Sequence, residues 1–153
     1  GLLVAWAKRY DFYSFAYSEF SNRISQATVS NLRDIIKMVL LKQLEYLKDN
    51  HLMQELYVWE LSGNSSFRAI QVEREKNGHK LQLELEKKLG GSCDDCNFYI
   101  TLIIAAINYI VLFTRQYNLF NGIDFSQSGT WDKLETIISN YVDMFLDVKI
   151  DVK

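Results

Sequence analysis

The sequence predicts an all-α fold, and three observations predict it. None of the 153 residues is proline, so the strongest helix breaker is missing. Leu, Lys, Glu and Gln, all good helix formers, fill long uninterrupted runs. Apolar residues recur at steps of three and four over most of the length. At this size the chain is expected to form one domain, residues 1–153, burying roughly two-thirds of its unfolded surface.

Six helical segments account for the pattern. The first, about Leu2–Phe20, is rich in aromatics: Trp6, Tyr10, Phe12, Tyr13, Phe15, Tyr17 and Phe20. The second, about Val29–Lys48, sets Leu32, Ile36, Val39, Leu40, Leu44 and Leu47 along one stripe, and Asp49–Asn50 breaks it. A short third helix runs from about His51 to Leu61. Ser62-Gly63-Asn64-Ser65-Ser66 reads as a loop whose small polar side chains offer helix caps. The fourth helix, about Phe67–Leu89, ends at Gly90–Gly91, which suit a left-handed cap. Asp94 and Asp95 open the fifth, because carboxylates favour the positive end of a helix dipole. It is expected to reach about Tyr117. Asn121-Gly122 turns the chain, and Thr130 is expected to cap the sixth helix, with Asp132 and Glu135 in its first turns.

The last two helices carry more apolar surface than a small monomer buries. Between Phe98 and Phe113 only Thr101 and Asn108 are polar, so the fifth helix has no solvent face. On the sixth, Trp131, Leu134, Ile138, Tyr141, Phe145 and Val148 follow at steps of 3-4-3-4-3, a coiled-coil-like seam. Ile137, Val142, Met144 and Leu146 are read as making its opposite side apolar too. A helix apolar on two sides touches two things. One is its own core; the other is expected to be a second copy of the chain, met through the 131–148 seam. A bilayer is the alternative host for the 98–113 stretch. That stretch is shorter than the ~18–20 residues a span needs, Asn108 interrupts it, and no basic residue flanks its Asp94–Asp95 end. No membrane partner is expected.

Composition narrows the chemistry. The net charge is -2 with both signs interspersed, and no basic patch of the kind a duplex-binding surface shows is present. The chain begins at Gly1 without the charged start and cleavage site of a signal peptide, and reads as a fragment. Cys93 and Cys96 form a C-x-x-C at a helix start, a spacing that serves redox chemistry or half of a zinc site. There is no second pair, and Asp94 and Asp95 would raise a thiol pKa and oppose activation. Two ordinary reduced cysteines are expected, with no metal and no cofactor.

Enzymatic signals are poor. A di-iron bundle needs paired Glu-x-x-His motifs, whereas Glu75 and His79 are four apart and stand alone. Asp94-Asp95 resembles the start of an aspartate-rich isoprenoid motif, but Phe98 occupies the place of the later Asp. There is no phosphate-binding glycine loop. The histidines, His51 and His79, sit among Asn50, Asn77 and Lys80 and read as surface residues. No catalytic residue is assigned.

Polar residues on apolar stripes are more informative. Arg74 lies four after Ile70 and seven before Leu81, so it faces inward. Buried without a partner, it would cost on the order of 3–5 kcal/mol. Glu60, just after Trp59, is the expected counter-ion, clamping the third helix to the fourth; ligand contact and snorkelling to solvent are the alternatives. Gln43 sits among Val39, Leu40 and Leu47, while Thr101, Asn108 and Arg115 recur at steps of seven. An apolar cavity with a few convergent polar groups is how proteins hold small organic molecules. The pocket candidates are therefore Gln43, Tyr46, Tyr57, Trp59, Phe98, Thr101, Asn108 and Tyr109. Plain core packing competes with that reading, as does a bond from Asn108 across a dimer seam.

Two stretches resemble a known family. Tyr57-Val58-Trp59-Glu60-Leu61, a polar loop, then Ile70-Gln71-Val72-Glu73-Arg74-Glu75-Lys76-Asn77-Gly78 is similar to the effector domain of TetR-type transcriptional regulators. Phe120-Asn121-Gly122-Ile123-Asp124-Phe125, followed by Gly129-Thr130-Trp131, resembles the loop between that domain's last two helices. The likeness spans most of 50–146. It implies a six-helix bundle, a homodimer built as a four-helix bundle by the last two helices, and an inducer cavity among the middle helices. It further implies a bacterial, cytoplasmic regulator, in character a repressor, whose first helix links the cavity to a DNA-binding head. No helix-turn-helix precedes Leu2, so these residues are not expected to grip an operator; DNA would be met only through that missing N-terminal domain. The partners expected are therefore a second copy and a small apolar effector. A helical adaptor that docks partner helices without a small-molecule ligand is the competing reading.

Overall fold

The computed structural model describes Ala5 and residues 12–63, 65–89 and 94–150, with backbone alone at residues 12–15, 94 and 148–150. Six α-helices follow in order among them: α1 Phe12–Gln26, α2 Val29–Asp49, α3 His51–Leu61, α4 Arg68–Leu89, α5 Asp94–Thr114 and α6 Ser128–Ile150. The fold is predominantly helical. The start of the first expected helix, with Trp6 and Tyr10, lies outside the described residues. Its end falls at Gln26 and not Phe20, because Ile24 continues the Ala16–Phe20 stripe at steps of four and all three are buried.

The second helix is the hub. It buries Leu32, Ile36, Leu40, Gln43, Leu44 and Leu47, and packs against α1, α3, α5 and α6. One residue ends it and starts the next helix: the Asn50 side chain accepts from the Met53 N–H at 3.1 Å. Gln54, buried on α3, donates through Nε2 to the carbonyls of Leu47 (2.8 Å) and Lys48 (3.0 Å), two of the orphan acceptors at the end of α2. Gly63, at φ 81°, leads out of α3 in the left-handed region that glycine tolerates. A short 3-10 turn, Ser65–Phe67, then enters α4.

The fourth helix is polar, and its buried residues are Ile70, Asn77 and Leu85. It packs chiefly on α1. Ser21 donates its hydroxyl to the Glu84 carboxylate at 2.8 and 2.9 Å, and Lys88 donates to the carbonyls of Ser25 (2.6 Å) and Ala27 (3.1 Å). The lysine thus meets the negative end of α1. The expected Gly90–Gly91 cap lies outside the described residues.

The fifth helix stops at Thr114, short of Tyr117, and the Thr114 hydroxyl donates back to the Ile110 carbonyl at 2.8 Å. A two-residue hairpin, β1 Leu119–Phe120 and β2 Ile123–Asp124, follows, with Phe120 opposite Ile123. Asn121 (φ 49°) and Gly122 (φ 78°) supply the two positive φ angles a tight hairpin turn needs. Thr130 does not cap α6, which begins two residues earlier at Ser128. Its hydroxyl donates instead to the Asp124 carbonyl at 2.7 Å, while Trp131 Nε1 donates to the Phe125 carbonyl at 3.0 Å.

The 131–148 seam is a correction. Ile138 and Phe145 are buried in the protein's own core, and Trp131, Leu134 and Tyr141 pack half-buried against it. Tyr99 of α5 stacks on Phe145 at 5.4 Å and meets Tyr141 edge-on at 6.0 Å. Val148 has no described side chain. Val142 and Leu146, expected on the far side, are buried as well. The core stripe of α6 is simply wider than the heptad, and it claims the seam for its own chain. The large apolar side chains that remain exposed on α6, among the described residues, are Ile137 and Met144.

Charge stitches α6 to α2 beside this packing. Lys37 donates to Asp143 at 2.8 Å; Arg33 donates to Asp143 at 3.2 Å and also bonds Asp147. The Lys37 bond, followed by the charges of Lys37 and Arg33, holds the Asp143 carboxyl below its usual range despite some desolvation. The Arg33 guanidinium is correspondingly raised, chiefly by its bond to Asp147.

Candidate functional site

The polarity of α4 creates the site. With few apolar anchors, α4 leans on α1 and does not close against α5. A cavity of about 460 Å³ lies between them, within the 300–1,000 Å³ range of small-molecule pockets. Its floor is apolar: Ile36, Val39 and Leu40 from α2, with Phe20 and Ile24 from α1. Ile100 and Ile104 form the α5 wall, and Leu81 and Leu85 form the α4 wall.

Polar groups stand in three places. Arg74 Nη1 donates to both Glu60 oxygens at 3.0 and 3.1 Å, with the two side chains only 15% and 18% exposed. The same guanidinium lies 4.8 Å from the centre of the Tyr57 ring, a favourable cation–π geometry. On α5, Asn108 lines the cavity and its Oδ1 accepts from the buried Gln43 Nε2 at 3.2 Å, tying α2 to α5. Along the rim, Glu75, His79, Gln82 and Glu86 follow one another on α4, with Gln82 Nε2 donating to Glu86 at 2.8 Å.

Among the residues expected in a pocket, Tyr57, Thr101 and Asn108 line this cavity. Gln43 sits behind Asn108 and reaches the site only through it. Tyr46 packs half-buried into the core and does not line the cavity. Trp59 is exposed and leans on Phe67 at 6.4 Å. Phe98 (71% exposed) and Tyr109 (56% exposed) point away from the cavity, with Tyr109 against Phe113 and Phe120 at 5.8 and 5.7 Å. The reason is helical phase. Phe98 and Tyr109 lie three turns apart on one face, with Leu102 and Ala105 between them, opposite Ile100, Ile104 and Asn108. Sequence reasoning missed the stripe Glu75, His79, Gln82 and Glu86. Its signal is legible: polar residues at steps of 4-3-4 on one face of α4.

Cys96 is a second correction. It is buried, lines the cavity and is disulfide-bonded, and no described cysteine is free. The sequence holds one other cysteine, Cys93, outside the described residues.

A second hollow of about 550 Å³ lies between α2 and α6. Lysines 37, 42 and 48 line it together with Asp34, Glu45 and Asp49 of α2 and Glu135 of α6, so it is an open groove of mixed charge. Among the described residues no group of three or more His, Cys, Asp or Glu could hold a metal ion.

The outer face of α5 is the other unusual surface. Phe98, Leu102 and Tyr109 stand exposed beside Ala105 and Ala106. The Asp95–Thr114 stretch is long and apolar enough to cross a membrane, and only 22% of that window is buried, whereas a core helix that passes the same test is mostly buried. The chain matches no protein-family model, no curated protein and no solved structure.

Proposed function

We propose that these residues form the effector-binding and homodimerisation domain of a TetR-like bacterial regulator, cytoplasmic and repressor-like, whose DNA affinity lies in an N-terminal head. One observation carries the reading: α5 has two apolar faces with different neighbours. Ile100, Ile104 and Asn108 look into the cavity, while Phe98, Leu102 and Tyr109 look outward. The outward face, with Ile137 and Met144 of α6, is the proposed dimer surface in place of the 131–148 seam. A contiguous apolar face left in water often marks an interaction site, and a standard interface needs about 800 Å² per partner.

Coupling follows from how α1 is held. Phe20 and Ile24 floor the cavity, and the Ser21–Glu84 and Lys88 bonds lock α1 to α4. A ligand that spreads α4 from α5 moves α1 with it, and with α1 the half-site spacing of paired heads. The shift needs different affinities for the two packings, typically worth about 1–3 kcal/mol. Operator titration of the intact regulator, with and without cavity ligand, tests the reading. Affinity that no ligand alters, in a protein that does dimerise, removes the sensing half. The exposed α5 face equally suits a helical adaptor, which a monomer that binds only a foreign helix would favour.

A further inference from the structure

The charges around the cavity select its ligand, granted that the cavity is the effector site proposed above. Arg74 is, among the described lining residues, the one fixed cation, and Glu60 already neutralises it. Glu75 and Glu86 stand on the α4 rim, and neither is in a salt bridge among the described residues. A carboxylate or phosphate entering here meets two like charges and, among the described lining residues, no spare cation. A positively charged group meets an acceptor at either end of the rim, Glu75 or Glu86, three turns apart with His79 and Gln82 between them.

Below the rim the walls are branched aliphatic. Ile24, Ile36, Val39, Leu40, Ile100 and Ile104 offer methyl groups, and the aromatic rings, Phe20 and Tyr57, belong to different helices. Among the described lining residues no parallel pair of rings is built to sandwich a flat ligand. An alkyl chain of moderate length matches such a surface, at about 0.8 kcal/mol per methylene buried. We propose that the cavity takes an aliphatic amine or ammonium compound, its chain on the α2–α5 floor and its charged nitrogen at the Glu75–Glu86 rim of α4.

The test is calorimetric titration of the 153-residue chain with three probes of equal chain length, decyltrimethylammonium, 1-decanol and decanoate, each below its micelle concentration. The ammonium is expected to bind about two- to fivefold more tightly than the alcohol, as one partly exposed charge pair allows, and decanoate most weakly. Combining Glu75→Gln with Glu86→Gln is expected to erase the gap between ammonium and alcohol; both side chains reach solvent, so the fold should survive, which circular dichroism checks. Equal affinities, a preference for decanoate, or a gap that outlasts the double substitution overturns the amine. Failure of all three probes to bind a folded, dimeric protein overturns the cavity as an effector site instead. Ile104→Trp, which fills the floor, should abolish whatever binding is seen; binding that persists places the probes elsewhere and overturns the assignment.

Discussion

Arg74 shows what one residue reveals of a fold. A charge on an apolar stripe demands a counter-charge within reach, and Glu60 lies 3.0 Å from the guanidinium that also sits over the Tyr57 ring. Because both ends retain some exposure, Arg74→Ala is expected to cost about 2–3 kcal/mol, somewhat less than a fully buried pair. Urea unfolding measures it, and a loss under 0.5 kcal/mol would show the pair to be decorative. Asn108→Leu should be milder in stability, since it removes the Asn108 side of one hydrogen bond, at 3.2 Å to the buried Gln43 amide; about 1 kcal/mol is expected. Phe98 and Tyr109 were not legible in the same way. On a helix with almost no polar residue, nothing in the sequence distinguishes the inward aromatic from the outward one.

At the scale of elements, helices and turns could be read from capping residues, glycines and the absence of proline, while their partners could not. The α6 seam is a real apolar stripe, yet periodicity names a stripe and not what covers it; here α2 and α5 do. The rim stripe on α4 escaped notice because polar residues at helical spacing usually mean a solvated face. The α2–α6 ion cluster is invisible in sequence, since Arg33 and Asp143 are 110 residues apart. It carries a pH prediction. The Asp143 pKa is lowered in the folded protein by Lys37 and then Arg33, so its contribution is present above the unfolded carboxyl value, about 4, and is lost as pH falls through the lower folded value. Asp143→Asn should therefore cost up to about 1 kcal/mol at neutral pH and progressively less below pH 4. A difference that stays constant down to pH 2 would contradict the assignment.

For the molecule as a whole, the excess of apolar surface on the last two helices was legible from composition, and the exposed face of α5 is where it lies. The cavity was legible only as an expectation that polar groups converge, because a gap between α4 and α5 depends on how weakly α4 is anchored. The central claim is that α5 serves a ligand on one face and a twin on the other. Leu102→Asp, on the outer face, should leave helix content unchanged and split the dimer. Sedimentation equilibrium of the parent chain at micromolar concentration is the most direct measurement. A species of twice the 17.9 kDa chain mass, reduced to a single chain by Leu102→Asp, is the predicted result. A parent chain that sediments as a monomer, with Phe98 and Tyr109 in contact with water, would contradict it.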